Sequence, residues 1–371
     1  VIADEVGLSN RVLSCLNSAQ IHLAESLSLL DKAAPDLSIG DVVRELNLLL
    51  SQHPVGLSPW IYLGYYELGK VVLQAGGNPH PPGGPPQPSP DQQVVEFHAA
   101  NALALIQHGL TASRFNTEAR NPQVIGFGDP AEASAQMWAT LLAMLQEGGD
   151  FVVDICSPSS ETIGQFEAAI RDARRLISLV NPALDTLMSR LQRLLLLAEP
   201  GPQARTAGQN FGGATAFFFR GGSVINASRQ LHPTAMLELL VHEYAHGELF
   251  ALGQEQVLCL NQDDERYPVL IRSDPRPMHG ILHSLHVVSR VVGVIDKILQ
   301  LSPAALPDGG ASQPAFRDLL VRQHAYGRSS LAAIREHARL TPLGQEVVEA
   351  AVWRLGLQQA EPSYLQTAES L

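Results

Sequence analysis

Residues 239–252, LLVHEYAHGELFAL, carry His242 and His246 four positions apart, a spacing that sets two imidazoles on one face of an α-helix and lets both offer a nitrogen to one metal ion. Glu243 lies between them, near enough to act as a base or to bond a metal-bound water. The apolar lead-in Leu239-Leu240-Val241 implies a substantially buried helix, and buried histidines need partners. Pro233 suits the start of that helix and Gly253 its stop.

Helical spacing continues on both sides of this stretch. Downstream, a second helix is expected from near Pro277 through Ile281, Leu285, Val288 and Val292 to about Leu299, with further helices over 314–338 and 343–357. Upstream, Leu13, Leu16, Leu23, Leu27 and Leu30 mark a helix over 10–32, and the same periodicity recurs at 41–51, 58–74 and 93–112. Over 160–198 a stripe of Phe166, Ile170, Leu176, Leu184, Leu187, Leu191 and Leu194 is broken at Asn181-Pro182, where the proline ring ends or kinks the helix. Residues 216–220 (AFFFR), the Gly221-Gly222 turn and 223–226 (SVIN) read as a β-hairpin. Of the 15 residues from Gly76 to Pro90, 11 are Pro or Gly, which marks a connecting loop. The expected fold is mostly α (α+β), with a small hairpin or sheet next to the metal-binding helix. A helical N-terminal region, 1–205, would precede a catalytic region, 206–371.

A hydrophobic content of 45% with 17% charged residues describes a globular chain, and no run of eighteen apolar residues lacks polar breaks. The net charge of −12, with no cluster of Lys and Arg, argues against nucleic acid and anionic membrane as partners. Cys15, Cys156 and Cys259 are too dispersed for a disulfide framework or a cysteine zinc site. The first residues do not read as a signal peptide, so a cytoplasmic location is expected.

A catalytic metal site usually takes three protein ligands, so a third donor is needed. Six of the 13 histidines fall between 232 and 286, and His279, His283 and His286 share a face of the second helix. His283 is the preferred third ligand; the other two read as supporting or merely polar groups. The HExxHxxGxxH protease pattern is excluded, because Leu249 and Leu252 stand where its Gly and third His belong. A zinc peptidase with a downstream carboxylate ligand leaves Glu265 as nearest candidate, although its acidic surroundings read more simply as a solvated loop. Arg272-Ser273-Asp274-Pro275-Arg276-Pro277 puts two guanidiniums near a helix N-terminus, an arrangement suited to a carboxylate.

Taken together, LLVHEYAHGELFAL and RSDPRPMHGILHSLHVVSR resemble the HExxH-motif family of 2-oxoglutarate-dependent peptide β-hydroxylases, tailoring enzymes of ribosomally made peptide natural products. The resemblance covers about 50 residues, 239–290; the rest of the chain matches only in being helical. It implies an oxidoreductase, a dioxygenase in which Fe(II) is held by His242, His246 and His283. Arg276 or Arg272 would hold the distal carboxylate of 2-oxoglutarate, and O2 and a precursor peptide would complete the reactants. Three histidines depart from the two-histidine, one-carboxylate set common among such oxygenases, which leaves Asp274 as a rival ligand. The alternative is a zinc metallopeptidase with Glu243 as general base.

Overall fold

The computed structural model describes residues 2–33, 39–52, 57–75, 92–115, 121–147, 154–228, 231–254, 256–271, 274–306 and 308–357. The Pro/Gly stretch 76–90 and Arg272 lie outside them. Among the described residues the chain is mostly helical, with one small mixed sheet. It divides into two compact units, each discontinuous in sequence: Val1–Cys15, Ala168–Leu187 and Gln230–Leu371 form one, Leu16–Glu167 and Met188–Arg229 the other. A single boundary at 205/206 was expected. Instead the chain leaves and re-enters each unit, so parts of the first 205 residues belong to the unit that carries the histidines.

The Leu16–Arg229 unit contains most of α1 (Ile2–Ala33), with α2 (Gly40–Gln52), α3 (Pro59–Ala75), α4 (Gln92–Phe115), α5 (Ala135–Glu147) and the sheet. These helices agree with their leucine periodicity, except that α5 was not anticipated. Leu27, Ile39, Leu46, Ile61, Leu68, Ile106 and Leu110 fill one core among the first four helices, and Trp60, Trp138, Leu196 and Phe219 belong to a second core under the sheet. Two glycines let α3 and α4 approach closely. A Cβ on Gly64 would stand 2.6 Å from the Ala102 carbonyl oxygen, and one on Gly109 would stand 2.6 Å from the Ile61 side chain.

The sheet corrects two expectations. The leucine run after α6 (Ser160–Val180) and α7 (Pro182–Leu191) is no helix: Leu194–Pro200 forms β3, paired in parallel with β1 (Gln123–Gly126) and β5 (Gly222–Asn226). An uninterrupted apolar run suits a strand flanked on both edges and buried on both faces, as Leu194 to Leu197 are. The hairpin exists in a shifted register. β5 pairs antiparallel with β4 (Gly213–Thr215), and residues 216–221 form the connection, with Gly221 at φ +82°. Phe218 and Phe219, which the sequence pattern puts in a strand, are buried within this turn. A short β2 (Ile155–Cys156) pairs antiparallel with the end of β3, and a short helix, α8 (Pro202–Thr206), follows β3. The break at Asn181-Pro182 is where expected, and Arg174 of α6 donates to Asp185 of α7 across it at 2.7 Å.

In the other unit, α9 (Pro233–Leu252), α10 (Met278–Leu299), α11 (Gln313–His337) and α12 (Pro342–Arg354) agree closely with the expected bounds. α10 packs against all three of its neighbours. Its length and apolar composition would suffice to cross a membrane, but it is mostly buried within the protein. The sheet and the HExxH helix thus belong to different units.

Replacing Gly109 with Ala is expected to destabilise the protein by about 1–3 kcal/mol, because the added methyl overpacks the α3–α4 crossing. Gly69 in α3 has open space around it, so Gly69→Ala should instead stabilise, by up to about 1 kcal/mol. Urea midpoints of the two variants should move in opposite directions; a common gain would mean that the helices are not so close.

Candidate metal centre

Local chemistry accounts for the bounds of α9. Pro233 occupies its first turn, His232 accepts from the Thr234 backbone N–H through its side chain, and Gly253 N–H closes the far end on Leu249 O at 2.8 Å. Buried residues surround the helix axis almost continuously, as expected for a helix in a core. His242 and His246 keep part of their surface accessible, while Glu243 is buried.

The pair faces together. Nε2 of His242 lies 3.2 Å from Nε2 of His246, with ring centroids 4.9 Å apart. Ligand nitrogens about 2.1 Å from one ion and roughly 100° apart stand about 3.2 Å from each other, so this pair fits a shared cation. α10 brings in His283, whose ring centroid is 5.7 Å from that of His246 and 5.4 Å from that of Phe250. Its Nδ1, however, lies 3.4 Å from the opposite nitrogen of His246, Nδ1. Among the described residues no three His, Cys, Asp or Glu side chains are already set around one point. The three imidazoles are neighbours, then, but a third-ligand role for His283 requires its ring to turn toward the Nε2 edge.

Burial, then the neighbouring His242, lowers His246 to about 4; burial, then His246, His286 and His279, lowers His283 to about 3. Both rings are therefore neutral near pH 7, the form in which imidazole binds metal.

The other candidates separate cleanly. His279 is exposed and faces Asp263 at 3.3 Å. His286 is fully buried, its Nε2 2.9 Å from Glu248, and burial outweighs that carboxylate in lowering it to about 4. Asp274 is exposed and turned to Nε of Arg276 at 3.3 Å, so it is placed as a partner of arginine and not as a rival ligand. Arg276 is held in place by reciprocal 2.9 Å backbone hydrogen bonds with Tyr267, just ahead of the first turn of α10. Glu265 accepts from the Tyr267 hydroxyl, the Arg339 guanidinium and the Gln262 backbone N–H. It ties the loop after α9 to the segment after α11, which leaves the carboxylate-ligand layout without its donor.

Two residues outside the expected site stand out. Glu248 is wholly buried on α9, and Arg290 of α10 grips it through Nε at 2.7 Å and through Nη2. Burial alone would raise Glu248, but Arg290 and His286 overcome it and hold the carboxyl well below its ordinary range. The available signal in the sequence was a charged residue in each of two otherwise apolar helix segments.

The chain matches no protein-family model and no curated protein sequence. The site therefore rests on its own geometry.

Two outcomes follow. His283→Ala should abolish or sharply weaken metal uptake measured by elemental analysis, whereas His279→Ala should leave it unchanged; equal retention would remove His283 from the site. In metal-stripped protein, folded-state values for His246, His283 and His286 lie below their ordinary 6.5. Between pH 6.5 and about 4 the unfolded chain takes up protons that the folded chain refuses, so stability must fall as pH drops through that window. Melting temperatures at pH 7.5 and 5.5 in the presence of chelator should show the decline; equal values would contradict it.

Proposed function

We propose that the chain is an iron(II)- and 2-oxoglutarate-dependent oxygenase that hydroxylates the β-carbon of a side chain in a ribosomally made precursor peptide. His242, His246 and His283 would hold the iron. The observation that supports this most is the 3.2 Å approach of two Nε2 atoms from α9 with a third imidazole beside them on α10. Three neutral nitrogen donors suit a first-row divalent ion and leave positions for a chelating oxoacid and for O2. When bound, the iron supplies the oxidising chemistry: one oxygen atom of O2 enters a C–H bond and the other enters succinate, with release of CO2.

The chain's own groups do the rest. Arg276 carries a fixed positive charge ahead of the amides that open α10, and together they suit the far carboxylate of the oxoacid. Its Nε contact to Asp274 restrains the guanidinium. Phe250 packs beside the His283 ring and makes that side of the site apolar. Glu243, buried on the HExxH helix, serves as an acceptor that orients a ligand or a substrate amide. No disulfide joins Cys15, Cys156 and Cys259, in keeping with a reducing, cytoplasmic setting.

Anaerobic reconstitution with Fe(II) and 2-oxoglutarate is expected to produce the visible absorption of the chelate, and admission of oxygen should then yield succinate. Glu243→Gln should keep iron and part of the 2-oxoglutarate turnover. Tight zinc binding with peptide cleavage under argon, abolished by Glu243→Gln, would establish the zinc peptidase instead.

A further inference from the structure

The interior of the α9–α10 contact holds a polar cluster that no ligand role explains. Glu248, His286, Ser289, Arg290 and Arg354 are all at least nine-tenths buried, and Glu248, His286 and Ser289 are entirely so. The Glu248 carboxylate accepts from Arg290 Nε at 2.7 Å, from Arg290 Nη2 and from His286 Nε2 at 2.9 Å. Ser289 Oγ donates to the His286 carbonyl and lies 3.5 Å from Arg354 Nη1, which brings α12 into the same cluster.

Stability does not account for this arrangement. Removing several charges from water costs free energy that well-packed apolar side chains of similar volume would not incur, and such replacements are often neutral or stabilising. What the cluster supplies is direction. Apolar contact between two helices is non-directional, and one residue of sliding displaces a side chain by about 1.5 Å along the axis. That is enough to separate a ligand pair. A guanidinium fork on a carboxylate tolerates little such displacement.

The cluster lies along the same two helices as the histidines: Glu248 is two residues beyond His246 on α9, and His286 is about one turn beyond His283, on the same face of α10. We infer that Glu248, His286, Arg290 and Arg354 act as a positioning cluster, setting the register of α9 against α10 so that His246 and His283 meet at one metal ion. The inference rests on the metal site proposed above and adds the residues that set its geometry from outside.

Co(II) titration separates the two ideas, because its visible bands report the geometry of the site without any turnover. Wild-type protein that takes up no Co(II) would sink the metal site, and this inference with it. Given uptake by the wild type, the decisive variant is Glu248→Met, His286→Leu, Arg290→Met and Arg354→Met combined. It is expected to melt, metal-free, at or above the wild-type temperature, yet to bind Co(II) about 10- to 100-fold more weakly and with shifted bands. A folded variant with wild-type affinity and spectrum would overturn the inference while leaving the metal site intact. Should the combined variant not fold, Glu248→Gln decides on the same two readouts: weaker binding with altered bands supports positioning, and unchanged values refute it.

Discussion

One buried carboxylate, Glu248, joins α9 to α10 through Arg290 and His286, and the histidine geometry depends on that junction. The other buried residues of these helices are mostly leucine, valine and isoleucine, which favour proximity without specifying register. Proximity alone does not make a metal site, because ligand atoms must agree to within a few tenths of an ångström. The ionic junction is costly to bury, and its directional bonds specify which turn of α10 lies opposite which turn of α9.

Desolvation works in the same direction. The burial that lowers His246 and His283 keeps their nitrogens unprotonated near neutral pH, ready for a cation. Placing these rings inside the fold therefore has two consequences: it leaves them unprotonated, as a metal ligand must be, and it makes the metal-free protein sensitive to acid. The loop between α9 and α10 contributes as well. Asn261 and Glu265 fasten it to residues 337–339 of the same unit, while the Tyr267–Arg276 backbone bridge fixes the arginine ahead of α10. Glu265, read from the sequence as solvated or as a zinc ligand, is a structural tie.

The helices were legible in the sequence because leucine and valine recur at the spacing of one helical face, and because Pro233, Gly253, Pro182 and Pro277 mark their ends. β3 was not, since Leu194 to Leu197 simply continue a leucine stripe, and a strand buried on both faces has no alternation to betray it. The hairpin was displaced because three phenylalanines look like strand residues, whereas here they sit in the turn, Phe218 and Phe219 folded into the core beside it and Phe217 exposed. The pairing of His242 with His246 could be read from their spacing, which left His279, His283 and His286 as alternatives on the next helix. The orientation of the His283 ring could not, and neither could Glu248 with Arg290, because a contact between residues 42 positions apart leaves no periodic trace. The division into two units was hidden for a similar reason: α6 begins in one unit and ends in the other, with no break in its helical pattern.

On the proposed reading, three imidazoles from α9 and α10 bind one iron ion. X-ray absorption fine structure of the iron-loaded protein, prepared under argon, counts imidazole ligands directly through their outer-shell scattering. Three imidazoles in the wild type, reduced to two by His283→Ala, is the expected result. Two imidazoles in the wild type, unchanged by that substitution, would confine the ligands to α9 and exclude His283 from the iron.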